Sequence, residues 1–135
     1  WIEVRHHGYR KKFGIIHLRR IHIYHDGLEI SGNDSIIAVD NFEVNKKNVA
    51  VLRFHLHPSI SASTIGNNDE VLLRPNKGLG WLFKINSRKV RVEDSVYMGV
   101  KGKMKRSQQI VVELDITHPK LELLWKFVRL PGREL

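Results

Sequence analysis

The sequence predicts an all-β, antiparallel β-sandwich, and three observations predict it. Apolar residues recur with period two rather than the helical period of about 3.6. Clusters of Gly, Asn, Asp and Pro break the apolar runs at spacings of roughly eight to twelve residues, as in sandwiches and barrels rather than βαβ units. No window carries a convincing helical stripe. The length, 135 residues, suits a single sandwich domain spanning 1–135 or the C-terminal portion of one cut from a longer chain.

In chain order, Trp1 to Arg5 reads as a strand that pairs with a neighbour in this chain or with sheet lying upstream. His6-His7-Gly8-Tyr9 reads as a strand end followed by a Gly turn with Tyr9 packed on it; adjacent strand residues face opposite ways, so at most one of the two histidines can serve a site. Ile15 to His25 is a long β-branched strand with basic residues on both faces, and Asp26-Gly27 between Tyr24 and Leu28 is a hairpin signal. Asn41 to Asn48, polar and containing Lys46-Lys47, reads as linker-like. Ala50, Leu52, Phe54 and Leu56 then form an apolar face opposed by Arg53, His55 and His57. Shorter runs follow at Val71 to Leu73, Trp81 to Ile85, Lys89 to Val92 and Val96 to Met98, separated by segments that tolerate left-handed backbone such as Gly66 to Asp69, Asn76 to Gly80 and Gly99 to Gly102. From Gln108 to Ile116 the inward set is Ile110, Val112, Leu114 and Ile116, and from Leu121 to Arg129 it is Leu121, Leu123, Trp125 and Phe127. Trp1, Trp81 and Trp125 alternate with core residues and read as packing groups. Pro131-Gly132 takes the chain out of its last strand.

Composition excludes several classes. There are no cysteines, which removes disulfide scaffolds, zinc ribbons and thiol catalysis. No apolar run approaches the ~18 residues of a helical membrane span, and no membrane partner is expected. Lys and Arg number 23 against 14 acidic residues, a net charge of +9 that favours polyanions. The basic residues are dispersed, however, and no block forms a basic arm. Aromatic residues are 8% of the chain and fall mostly on core faces, which disfavours a stacking nucleic-acid binder. The chain opens in mid-pattern at Trp1, without an initiator Met or a signal peptide, and so reads as a piece of something longer.

The sharpest chemical feature is His55-Leu56-His57. Two residues apart on a strand, both imidazoles face one side about 7 Å apart, a frequent start for a metal site. A third ligand would come from His22, His25, Glu93 or Asp94, and nothing in the spacing chooses among them; beside Arg53, the pair reads first as an ordinary polar or half-buried face, with metal ligation the outside reading. Glu93-Asp94 point apart on a strand and give no glycosidase pair. Asn76 to Gly80 precedes no helix and is no phosphate loop. Asn33-Asp34-Ser35 satisfies a glycosylation sequon, a pattern that recurs by chance.

Taken in order, His6-His7-Gly8-Tyr9, Phe13 to Arg20, Arg53-Phe54-His55-Leu56-His57-Pro58, Gly78 to Phe83, Glu93 to Gly99 and Arg106 to Val111 resemble the C-terminal part of bacterial heparinase II/III-like proteins. The resemblance covers nearly the whole chain. It implies a polysaccharide lyase whose longer chain joins an N-terminal α/α-toroid to a C-terminal β-sandwich and cleaves acidic, uronate-containing polysaccharide by β-elimination. It further implies that the catalytic residues belong to the toroid, that any divalent metal is held by the upstream half of the sandwich, and that this segment is itself non-catalytic and without a cofactor. Its partners would be the upstream toroid and first part of the sandwich, acidic polysaccharide, and a second copy through an open sheet edge. The family pattern at the start is closer to His-Asp-Gly-Tyr, so His7 departs from it. The compartment, periplasm or cytoplasm, stays open. The expected substrate-facing residues are Arg53, His55 and His57, which share one strand face, followed by Arg19 and Arg20. The alternative is a basic polyanion-binding module, for anionic glycan or nucleic acid, without catalysis.

Overall fold

The computed structural model describes residues 1–39, 48–86 and 88–132. Its strands are β1 (Ile2–His6), β2 (Ile15–Ile23), β3 (Glu29–Ala38), β4 (Val49–His55), β5 (Ile60–Ile65), β6 (Glu70–Pro75), β7 (Trp81–Ile85), β8 (Val90–Val100), β9 (Lys103–Asp115) and β10 (Lys120–Arg129), with one short helix, α1 (Arg10–Phe13), between β1 and β2. They form a seven-stranded sheet, in the order β1-β2-β3-β10-β7-β6-β5, packed on a three-stranded sheet, β4-β9-β8. Every pairing is antiparallel. The all-β antiparallel sandwich expected from the alternation is therefore the fold.

The period-two faces account for the core. Val71, Phe83 and Leu123 of the large sheet meet Ile110 and Val112 of the small one, all 0–1% exposed. Phe54 stands at the centre, its ring 5.1 Å from Phe83 and 5.0 Å, edge to face, from Trp125. The β2–β3 turn uses Gly27 at φ +70°, and Asp26 Oδ1 accepts the Leu28 N–H at 2.9 Å, so the Asp-Gly pair does the work expected of it. At one end of the sandwich, Gln108 of β9 reaches over to β5: its Oε1 accepts the Ala62 N–H at 2.8 Å, which satisfies part of that edge strand.

The N-terminal strand pairs with β2 inside this chain, one of the two arrangements expected for it, from Ile2 opposite Ile21 to His6 opposite His17. Several other details differ from the sequence reading. Lys89 to Val92 and Val96 to Met98 belong to one long strand, β8, with a bulge near its end. Strands β3 and β5 and helix α1 had no counterpart in the apolar pattern. Trp125 is buried and Trp81 half-buried against the core, but Trp1 is 80% exposed and stacks on His22 instead. Of the linker-like stretch from Asn41, residues 41–47 lie outside the described residues.

Candidate functional site

The densest polar cluster lies on the inner face of the large sheet. Strand β3 sends Ile30, Gly32, Asp34 and Ile36 toward the small sheet, so its alternation places a carboxylate in the core, where Asp34 is 0% exposed. Trp125 of β10 is paired with Gly32. A Cβ at Gly32 would stand 2.1 Å from the indole Cζ2, so glycine alone lets the ring lie across β3. In that position the indole Nε1 donates to Asp34 Oδ2 at 2.5 Å. On the other side, Arg19 is the β2 partner of Asp34, and His17 lies two residues before it on the same face. Arg19 Nε donates to Asp34 Oδ1 at 2.8 Å and His17 Nε2 at 2.5 Å. An ionised carboxylate only accepts, so the His17 proton is on Nε2.

Burial by itself would push the Asp34 carboxyl up, but the hydrogen bonds from His17 and Arg19, the Arg19 charge and the Trp125 bond outweigh it. They hold Asp34 below the usual carboxylate range. The Arg19 guanidinium carbon in turn lies 5.0 Å from the Phe54 ring centre and 5.6 Å from that of Trp125, a weakly hydrated cation placed against aromatic rings. Asp34 is inaccessible and fully engaged. Chemically it is an anchor for the Arg19, His17 and Trp125 side chains rather than a base.

Beside this cluster a cleft of about 620 Å³ opens between β2 and β4. Tyr9, His17, Arg19, Asn48 and Arg53 supply its polar lining, and Phe13, Ile15, Ile36 and Leu52 are among its apolar residues. The expected substrate-facing residues divide over three surfaces. Arg19 and Arg53 both line this cleft, from opposite sheets. Arg53 also belongs to an ion-pair ladder on the outer face of the small sheet, in which its Nη1 meets Glu93 at 3.1 Å and Arg91 bridges Glu93 and Glu113. Arg91, and after it Arg53, hold the Glu93 carboxyl below its usual range. His55 lies on that outer face, its Nδ1 3.3 Å from Ser95 Oγ. His57 lies just past the end of β4; its Nδ1 accepts the Ser59 N–H, and its ring packs edge-on against Tyr97. Arg20 points the opposite way from Arg19, to the outer face of the large sheet, and pairs with Glu3 at 2.7 Å. Among the described residues no three His, Asp or Glu side chains converge, so His55 and His57 have no third ligand beside them there.

The sequence reading missed Asp34, registering it only as the centre of a sequon. The available signal was a carboxylate two residues after Gly32 and two before Ile36, on the face that apolar residues should fill.

A family model described as heparinase II/III-like, C-terminal, matches residues 1–126. This chain belongs to that family. Among curated proteins it is 27% identical to FtsZ-localized protein C of Caulobacter vibrioides, over 98% of this chain and 24% of that protein. Among solved structures, heparan sulfate lyase HepC from Pedobacter heparinus superposes with a TM-score of 0.72 at 10% identity, over 90% of this chain and 19% of that one. The heparinase III BT4657 gene product, with methylated lysines, gives 0.69 at 9%, over 90% and 18%. The heparinase II/III-like chain thus spans about a quarter of the curated relative and about a fifth of the solved lyases. At such identities the solved structures bear on the fold, and they agree with the sandwich described above.

Proposed function

We propose that this segment is the C-terminal part of the β-sandwich in a longer polysaccharide lyase and forms one wall of the cleft that holds an acidic, uronate-containing chain. In the reaction a base removes the proton at C5 of the uronate, the C4–oxygen bond breaks, and an acid protonates the leaving oxygen. The product is an unsaturated uronate. The proton-transferring groups and any divalent metal belong to the upstream toroid and first part of the sandwich; this segment contributes position and charge. The observation that carries the reading is the cleft itself, lined by Arg19, which the buried Asp34 fixes, and by Arg53 of the opposite sheet. Guanidinium groups held in this way make directional, charge-assisted bonds to carboxylates. His55, His57 and Arg20 lie off this cleft and would meet polysaccharide only along its outer course.

The test is ultraviolet absorbance of the unsaturated product, with the full-length chain and this segment each given a panel of acidic polysaccharides. Activity in the full-length chain alone supports the reading and names the substrate. Activity in the isolated segment overturns its non-catalytic role, and silence from both overturns the lyase reading.

A second reading rests on the higher identity, 27% against 10%, to the FtsZ-localized protein than to the solved lyase. The fold then serves a longer protein recruited to the division machinery. Co-localisation of the tagged full-length chain with FtsZ, together with silence in the lyase assay, would favour it. In either reading the edge of β4 beside the cleft receives the upstream sandwich, and in the isolated segment a second copy pairs there; sedimentation as a clean monomer would count against this.

A further inference from the structure

The outer face of the large sheet carries a second concavity, of about 580 Å³, on the far side from the cleft. We infer that this trough is a binding site for acidic oligosaccharide, separate from any site of cleavage. The inference does not depend on whether the longer chain is a lyase.

Register defines the trough. One transverse row runs Arg20, Asn33, Leu124 across β2, β3 and β10, and Asn86 is fastened beside it because its Oδ1 accepts the Leu124 N–H at 2.7 Å. The next row on the same face runs His22, Ser31, Lys126, Lys84 across β2, β3, β10 and β7. Rows two residues apart are about 7 Å from one another, and four neighbouring strands span about 14 Å. The short Ser31 and Asn33 form a polar floor, with longer side chains on either side. The volume lies in the range of small-molecule sites, roughly 300–1,000 Å³.

Three kinds of group converge there, as sugar recognition requires. Aromatic surface comes from Trp1, which lines the trough and is backed from beside it by His22, with centroids 4.5 Å apart and planes 13° from parallel. Such faces accept the positively polarised C–H edge of a pyranose. Hydroxyl and amide groups come from Ser31, Asn33 and Asn86. The charged groups lining the trough are Arg20, Lys84 and Lys126, with no carboxylate among the lining residues. Arg20 shares its charge with Glu3 and Lys84 with Glu70. Lys126 is in no ion pair among the described residues, so it is the cation best placed for a uronate carboxylate or a sugar sulfate.

The experiment is calorimetric titration of this chain with four probes: an oligogalacturonate, a sulfated heparan oligosaccharide, a neutral cello-oligosaccharide, and single-stranded DNA. The expected result is binding of at least one acidic probe, with the neutral one weaker. Preference between the first two tells whether carboxylate or sulfate is the recognised group. Lys126→Met and Trp1→Ala should each weaken that binding by about tenfold, the cost of one charge-assisted or stacking contact. Lys103→Ala with Lys105→Ala, on the distant β8–β9 hairpin, should leave it unchanged, and circular dichroism confirms that each variant is folded. The inference is overturned if no acidic probe binds. It is also overturned if the hairpin variant loses as much as Lys126→Met, or if single-stranded DNA binds as well as the sugars, because either result means unspecific attraction of polyanions.

Discussion

Replacing Asp34 tests the reasoning about the buried cluster most directly. In Asp34→Ala, the Trp125 indole N–H, the Arg19 guanidinium and the His17 ring all lose their acceptor at once. Removing one partner of a buried ion pair costs about 3–5 kcal/mol, because the other charge stays behind without compensation. Here the Arg19 and His17 side chains keep 26% of their surface in water, which relieves part of that cost, so about 3 kcal/mol is expected. Asp34→Asn keeps the shape and one acceptor oxygen and should cost about 1.5–3 kcal/mol, the worth of hydrogen bonds to a charged group. Urea unfolding followed by tryptophan fluorescence measures both, through the midpoint at constant slope. The pH dependence supplies a second check. The folded carboxyl sits below its unfolded value of about 3.9, so the unfolded chain takes up the proton first. The contribution of the charge is complete above that value and is lost as pH falls toward the folded one. The gap between wild type and Asp34→Asn should therefore be constant near neutrality and close in acid. A cost below about 1 kcal/mol for Asp34→Ala, or a gap that widens in acid, would refute the argument.

Further outcomes follow from the same packing. Gly32→Ala forces the Trp125 indole off β3 and should destabilise by about 1–3 kcal/mol, with a shift in tryptophan emission as the bond to Asp34 breaks. Phe83→Ala empties the centre of the core and should cost about 3–5 kcal/mol in urea unfolding. Glu93→Gln on the outer ladder should lower the melting temperature slightly at low salt and not at all at high salt, because its partners are screened by solvent.

Most strands were legible because one of their faces is apolar in strict alternation, as in Ala50 to Leu56, Gln108 to Ile116 and Leu121 to Arg129. Strand β3 was not, and for the reason that makes it interesting. Gly32, Asn33, Asp34 and Ser35 interrupt the alternation, and the two inward-facing ones are explained only by neighbours far away in sequence: Trp125 across Gly32, Arg19 beside Asp34. Strand β5 was hidden because Ser61, Ala62, Ser63 and Thr64 carry little apolar bulk, and α1 is too short for a period. The site shows the same division. That Arg53 and His55 share an outward-facing strand side was readable from spacing of two. That Arg19 and Arg20 face opposite surfaces was likewise readable from alternation; that Arg53 and Arg19 would line one cleft depends on which sheet faces stack, and alternation within one strand holds no such information.

The position of β10 has a consequence for how the molecule assembles. It lies between β3 and β7, so the last strand in sequence is the seam that joins two blocks of the large sheet, β1-β2-β3 and β7-β6-β5. Each block is built from hairpins that can close locally, but neither can reach the other until β10 arrives. Pairings such as Gly32 with Trp125 enclose some ninety residues of intervening chain. Loop closure over that distance is entropically slow, and contacts of this kind set folding rates in β-rich domains. Until the seam closes, β3 and β7 each present an unpaired edge to any other strand nearby. Ordering of the two hairpin blocks should precede a slower, cooperative step in which Trp125 becomes buried. A chain lacking β10 should behave as two sticky halves rather than as a slightly weakened whole.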